Sequence, residues 1–260
     1  MNFLQIILNN FGRYIEKRTT NKEIENLIKR LNPIKCRKKL IRLGDDNDGG
    51  YIVPDDFQGI KYCFSAGVGD LIKFEKDCSR QYGIKCYLCD FNNIKNKEII
   101  DYFDFTKKKI SSYNDKKNIT INTWIKKKIK LKHDLILKID IEGSEYETIL
   151  NLDENILKRT RILIIEFHRL RDLRNKFFYN IFNNTISKLL NLFYVVHLHP
   201  NNSGKMIKIG KFEVPDLIEI TLIRKNRILK KKKNNNLYPL EIDQKNIKSK
   251  KDIILKPYWY

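Results

Sequence analysis

Three stretches of this chain close on a pair of ionisable residues separated by one apolar residue: Asp140-Ile141-Glu142, Glu166-Phe167-His168 and His197-Leu198-His199. Each pair follows an apolar run of strand type (DLILK, RILII, LFYVV), and residues two apart on a strand point to the same side. Each therefore aims two titratable groups at one place. A solvated strand end would account for one such pair, but three of them, using three of the four histidines, point to a site. Carboxylates and imidazoles gathered in a half-buried cleft act as general bases or as ligands for a hard metal ion. The fourth histidine, His133, precedes its strand and stands outside the set.

Upstream, the apolar strand YCFSAG runs into Gly67-Val68-Gly69-Asp70 before a helix. Two glycines there let the backbone turn tightly and approach a ligand, with the helix N-terminus behind them. The next strand ends roughly twenty residues later in Asp90, where an acid can accept hydrogen bonds from ribose hydroxyls. The pair suggests an adenosine-containing cofactor. Ile72 stands where GxGxxG requires its third glycine, which disfavours a dinucleotide. Asp48-Gly49-Gly50-Tyr51 is a good hairpin turn that could also bind an ammonium or an anion. The loop His199-Pro200-Asn201-Asn202-Ser203-Gly204 is polar and suits hydroxyl-rich substrates.

The elements that must position these residues follow a regular plan. Apolar spacing predicts a first amphipathic helix over 3–15, and Thr20-x-x-Glu23 opens a second that Pro33 stops. RLGDDNDGGYIVPDD reads as two short strands around a turn. From Tyr62, strands alternate with helices: YCFSAG, helix 71–82, IKCYLCD, helix 95–102, a short strand over 109–112, a helix around Thr123, DLILKID, a helix from Ser144, RILIIEFH, helix 173–190, LFYVVHLH and DLIEITLIRK. This predicts an α/β fold with a mostly parallel, seven-stranded sheet covered by helices on both faces. In such a sheet ligands bind beyond the C-terminal strand ends. The expected organisation is a helical extension over 1–35, a domain over 36–225 and a basic tail over 226–260.

Composition narrows the function further. The chain has 260 residues with Lys+Arg 52 against Asp+Glu 31, a formal +21. Residues 107–132 hold ten lysines and one acid, and residues 224–260 hold twelve basic residues and three acids, so these two segments carry +9 each and the rest only +3. Neither run interleaves aromatic residues as a base-stacking surface does. No stretch is apolar enough to span a bilayer, and the start lacks the basic leader of a secretory signal. Five scattered cysteines, including the isolated pair Cys86 and Cys89 within a strand, indicate neither a disulfide framework nor zinc. A reducing, cytoplasmic setting follows, and the number of subunits is left open.

Taken together, DNDGGYIVPDD, FSAGVGD, the acid of YLCD, LKIDIEGSEYETIL, ILIIEFHRL, VVHLHPNNSG and VPDLIEITLIRK resemble the FkbM-type methyltransferases, a Rossmann-like branch of the class I fold. One departure is Phe64-Ser65, where many class I enzymes carry an acid before the glycines. The resemblance implies S-adenosylmethionine as cofactor and transfer of its methyl group to a hydroxyl of a sugar, glycan or other small molecule. Cofactor contacts are then expected from Gly67, Gly69, Asp90, Asp140, Asp48 and Ser112. His168 is expected as the base, with Glu166 or Glu142 orienting it, and His197, His199, Asn201 and Asn202 as acceptor contacts. A divalent ion on Asp140, Glu166 and His168 is the alternative to the base. An RNA methyltransferase or RNA-binding protein using the lysine-rich segments is the alternative function.

Overall fold

A computed structural model describes residues 7, 10–12, 15–92, 95–130, 132–234 and 236–260. The expected first helix over 3–15 falls mostly outside them. The second, α1 (Asn21–Leu31), opens on the capping box of Thr20 and Glu23 and buries Ile24, Leu27, Ile28 and Leu31. The Asp/Gly-rich segment forms the hairpin β1 (Leu40–Gly44) and β2 (Gly50–Pro54).

The α/β domain is a seven-stranded sheet. Its centre is β3 (Ile60–Ala66), followed outward on one side by β4 (Lys85–Asp90) and β5 (Asp104–Lys107). On the other side lie β8 (Asp134–Ile139), β9 (Thr160–Phe167), β13 (Ile218–Arg224) and β10 (Phe193–Pro200). Six strands run in one direction, and β13 alone runs antiparallel, between β9 and β10. The chain leaves β3 toward one edge and returns at β8 toward the other, so the crevice lies where β3 and β8 end side by side. Alternation along the strands feeds two cores. Leu135, Leu137 and Ile139 face α1, α4 (Ile121–Lys128), α5 (Glu145–Asn151) and α7 (Lys176–Leu192), while Ile136 faces the β1–β2 hairpin and α2 (Lys73–Tyr82).

Three expectations need correction. The edge strand is β5, ahead of the expected 109–112; Lys109–Ile110 instead forms a separate two-strand ladder, β6, with β7 (Asn118–Ile119). Phe103 and Phe105 pack on the core while Asp104 between them pairs with Lys128, which makes this a one-sided edge strand. Helix α7 starts at Lys176 rather than 173, since Asn175 caps it by accepting from the Phe177 and Phe178 amides. An additional hairpin, β11 (Met206–Ile209) with β12 (Phe212–Pro215), bridges the last two sheet strands.

The basic C-terminal segment packs on the domain. Leu255 and Trp259 are buried, and the Trp259 indole donates to the Glu213 carbonyl at 3.1 Å. Trp259→Ala leaves a cavity and removes one of the two donors to the Glu213 carbonyl, the other being the Tyr258 hydroxyl, and urea denaturation is expected to read a loss of about 3–5 kcal/mol.

Candidate active site

At the β3–β8 crevice a cavity of about 510 Å³ is lined by residues of the β1–β2 turn (Asp48, Gly49, Tyr51), the glycine loop, the end of β4 and the end of β8. The glycine loop is held hard against β8. Gly67 has φ 76°, and a Cβ there would come within 1.5 Å of the Asp140 carbonyl oxygen. Only glycine satisfies both the left-handed backbone and that approach. Asp90 anchors the same loop: one carboxylate oxygen accepts from the Val68 and Gly69 amides at 2.9 Å each, and the other from Asn92 at 2.8 Å. Its oxygens therefore serve the loop before any ligand.

An acid from another element lies buried beside Ser65. Glu75 of α2 is fully buried, accepts from the Ser65 hydroxyl at 2.5 Å and pairs with Lys138 of β8 at 3.1 Å. Burial pulls the Lys138 ammonium down, but the charges of Glu75 and Asp140 and the Glu75 hydrogen bond together outweigh it, and the group sits above its ordinary value. Lys138 lines the cavity, its ammonium 4.9 Å from the Tyr51 ring centre. A lysine inside the run DLILKID was the available signal, because a buried amine on an apolar strand needs a buried partner. Glu75 offered none, being one acid in a polar helix.

Past the cavity mouth the strand-end residues converge on His168. Its Nε2 lies 3.4 Å from Glu142 and 3.9 Å from both Asp140 and Glu166, and its Nδ1 is 3.1 Å from Glu145. Glu145, absent from the sequence reading, is buried and also accepts from the Ile141 and Gly143 amides at 3.1 and 3.0 Å. It fixes the loop and the imidazole together. Its signal was the first-turn position of the helix after Asp140, shared by many surface acids. Burial pushes the Asp140 carboxyl up to about 7, Glu142 and Glu145 adding to the shift while Lys138 and His168 oppose it. Burial, then the charges of Asp140, Glu219 and Asp48, push Glu166 well above the carboxylate range. Burial pulls His168 down, but the Glu145 hydrogen bond and the neighbouring acids outweigh it, leaving the imidazole above its ordinary value.

Asp140, Glu142 and His168 each offer a ligand atom within 4.8 Å of the others. Glu166 accepts from Asn201 at 3.0 Å and lies one strand further on. The other expected contacts are engaged inside the chain. His197 Nε2 is 3.0 Å from Asp243, His199 Nδ1 is 3.4 Å from Glu219, and Asn202 donates to the Ile247 carbonyl at 2.9 Å. Asn246 of the C-terminal segment donates to Glu219 at 2.9 Å and to Asp48 at 3.1 Å, so that segment reaches the cavity wall. Ser112 is half-buried and does not line the cavity; Lys108, Lys109 and Ile110 form that side.

Residues 35–196 match the family model described as the methyltransferase FkbM domain, which is more than half of the chain. No curated protein matches. Among solved structures the chain is similar to precorrin-6y C5,15-methyltransferase from Geobacter metallireducens GS-15 at 9% identity and a TM-score of 0.37, covering 81% of this chain and 93% of that one. N-methyltransferase NodS from Bradyrhizobium japonicum WM9 aligns at 8% identity and a TM-score of 0.34, over 64% and 87%. The N-terminal domain of human METTL16 in complex with SAH aligns at 10% identity and a TM-score of 0.32, over 65% and 63%.

The raised Asp140 carboxyl has a consequence for stability. The folded chain holds this proton to a higher pH than the unfolded chain, so stability is lost as pH rises from about 4 to about 7. Because 27% of the side-chain surface stays open to solvent, part of the full penalty is relieved. Asp140→Asn is expected to raise stability at pH 8 by about 1–3 kcal/mol and to change little at pH 4, as read by thermal melts.

Proposed function

The chain belongs to the FkbM methyltransferase domain family, and on that premise we propose that it moves a methyl group from S-adenosylmethionine to a hydroxyl oxygen of a sugar, glycan or other small molecule. The observation that carries this reading is a buried imidazole, ringed by carboxylates, at the mouth of the β3–β8 cavity.

The residues present fit the cofactor. A cavity of about 510 Å³ lies in the usual range of roughly 300–1,000 Å³ for cofactor sites. The close Gly67–Asp140 contact leaves backbone, not side chain, facing the ligand. Val68, Leu71, Phe91 and Ile110 offer apolar walls for a base, and Asp48, Asp140 and Lys138 offer charges for an amine and a carboxylate. When bound, S-adenosylmethionine supplies an electrophilic methyl group on a sulfonium.

The chain's own residues handle the acceptor proton. A hydroxyl is a weak nucleophile until it is deprotonated, and a positioned base contributes roughly 10²–10⁴ in rate. His168 Nε2 is the base of this reading: Glu145 holds Nδ1, which turns the second nitrogen toward the mouth. Glu142 flanks it and stabilises the imidazolium that forms, while Glu166 helps to orient the ring. Asn201 keeps Glu166 in place. A second reading assigns Asp140, Glu142 and His168 to a divalent ion, on the strength of their 4.8 Å grouping. Such an ion would acidify the hydroxyl directly. Lys108 and Lys109 at the rim favour an acceptor with negative charge, RNA included. A cytoplasmic enzyme fits the five unbridged cysteines, and no described helix is long and apolar enough to cross a membrane.

Calorimetry with S-adenosylmethionine is expected to give one-to-one binding, and its absence sinks the methyl-transfer reading. Mass spectrometry of a panel of sugars, glycans and short RNAs then identifies the acceptor. His168→Ala is expected to cut turnover by about 10²–10⁴ with cofactor affinity nearly unchanged. Turnover that survives exhaustive chelation supports His168 as the base; loss of turnover restored by Mg²⁺ or Mn²⁺ supports the ion.

A further inference from the structure

Besides the lysines of residues 107–132, two of which line the cavity, basic charge gathers on a face that lies away from it. Residues 35–39 contribute Lys35, Arg37, Lys38 and Lys39, and residues 230–233 contribute four consecutive lysines, with no acid in either segment. Tertiary structure brings the two segments together. Ile34 and Lys233 form an antiparallel bridge, the Lys35 amide donates to the Lys232 carbonyl at 2.8 Å, and the Asn234 amide donates to the Pro33 carbonyl at 3.2 Å. All eight basic side chains are exposed. Among the described residues none of the eight pairs with a carboxylate. Of the acids nearby, Asp56 is matched by Arg227 and Asp134 by Arg161 and Arg224, while Asp55, whose amide donates to the Lys39 carbonyl, makes no ion pair with any of the eight.

The face sits at the start of β10 and the end of β13, the sheet edge opposite the cavity. The Ile34 amide donates to the Val195 carbonyl at 2.9 Å, and Lys225 and Lys231 lie over the Tyr194 ring. Two apolar side chains flank the lysine run in the open: Leu229 is 82% exposed and Leu237 is 72% exposed.

We propose that this face docks on an anionic lipid bilayer, with the lysines at the headgroups and Leu229 and Leu237 inserted between them. Charge complementarity selects a polyanionic surface, since unpaired cations at fixed spacing gain most where many negative groups lie close together. The leucines choose the bilayer over RNA. Exposed aliphatic side chains beside a basic run gain by burial in the acyl boundary and gain little on a phosphate backbone. The aromatic ring that lies here, Tyr194, is capped by ammonium groups rather than open for base stacking. Docked this way, the cavity at the C-terminal ends of β3 and β8 stays open toward solution.

The test is cosedimentation of the full chain with phosphatidylcholine vesicles, with and without about 30% phosphatidylserine, at about 0.1 M salt. Preference for the anionic vesicles by more than about tenfold is expected, falling steeply as salt rises. Each basic residue near such a surface contributes roughly fivefold. The double variant Lys231→Glu and Lys232→Glu is therefore expected to lose at least about fiftyfold, and Leu229→Ser about tenfold. Unchanged melting temperatures show that the variants are folded. Equal binding to neutral and anionic vesicles, no binding, or charge-reversed protein that binds like the parent overturns the proposal. So does tighter binding to an oligouridylate that is indifferent to Leu229→Ser, which would make the face a nucleic-acid surface.

Discussion

Buried like charge at the C-terminal edge of the sheet is the constraint around which this molecule is arranged. Asp140, Glu145 and Glu166 surround a single imidazole, with the exposed Glu142 on its open side. Such a cluster persists only if each carboxylate finds donors or keeps a proton. The molecule uses both means. Glu145 collects two backbone amides and the imidazole, Glu166 takes the Asn201 amide, and Asp140 retains its proton toward neutral pH. Each solution requires a particular backbone path, so the loop after β8, the turn after β10 and the start of α5 are all set by one electrostatic demand.

The cavity depends on the same economy one layer below. Lys138 is paid for by Glu75, and Glu75 in turn fixes Ser65 beside the glycine loop. A buried ion pair of this kind adds little net stability, but removing one partner strands the other. Its role is positional: it ties α2, β3 and β8 together at the point where Gly67 touches the Asp140 carbonyl. Cavity floor and acidic cluster therefore meet at one residue, Asp140, through its backbone on one side and its carboxylate on the other.

The strand ends were legible because a parallel sheet delivers the last residues of neighbouring strands to one edge whatever the loops do. Asp140, Glu166 and His168 are brought together in that way. The acceptor contacts were less legible. His197, His199 and Asn202 reach the same edge, but the C-terminal segment meets them there with Asp243 and Ile247. A lysine-rich stretch ending in aromatic residues gives no local sign of where it will pack. Glu75, Glu145 and Asn246 were invisible for a related reason: their neighbours in space are 10 or more residues away or depend on a turn that no periodicity encodes.

By itself the sequence determined the alternation of strands and helices, the glycines at the first strand end and the set of polar strand ends, because each is a local pattern of apolar spacing and residue type. Tertiary structure decided which acid serves which partner. It also decided that Asp90 anchors the glycine loop, that the tail backs the cavity wall at Asp48, and that residues 35–39 join 230–233 in one basic face. Those outcomes rest on long-range pairings, in which burial and charge must be balanced between segments far apart in the chain.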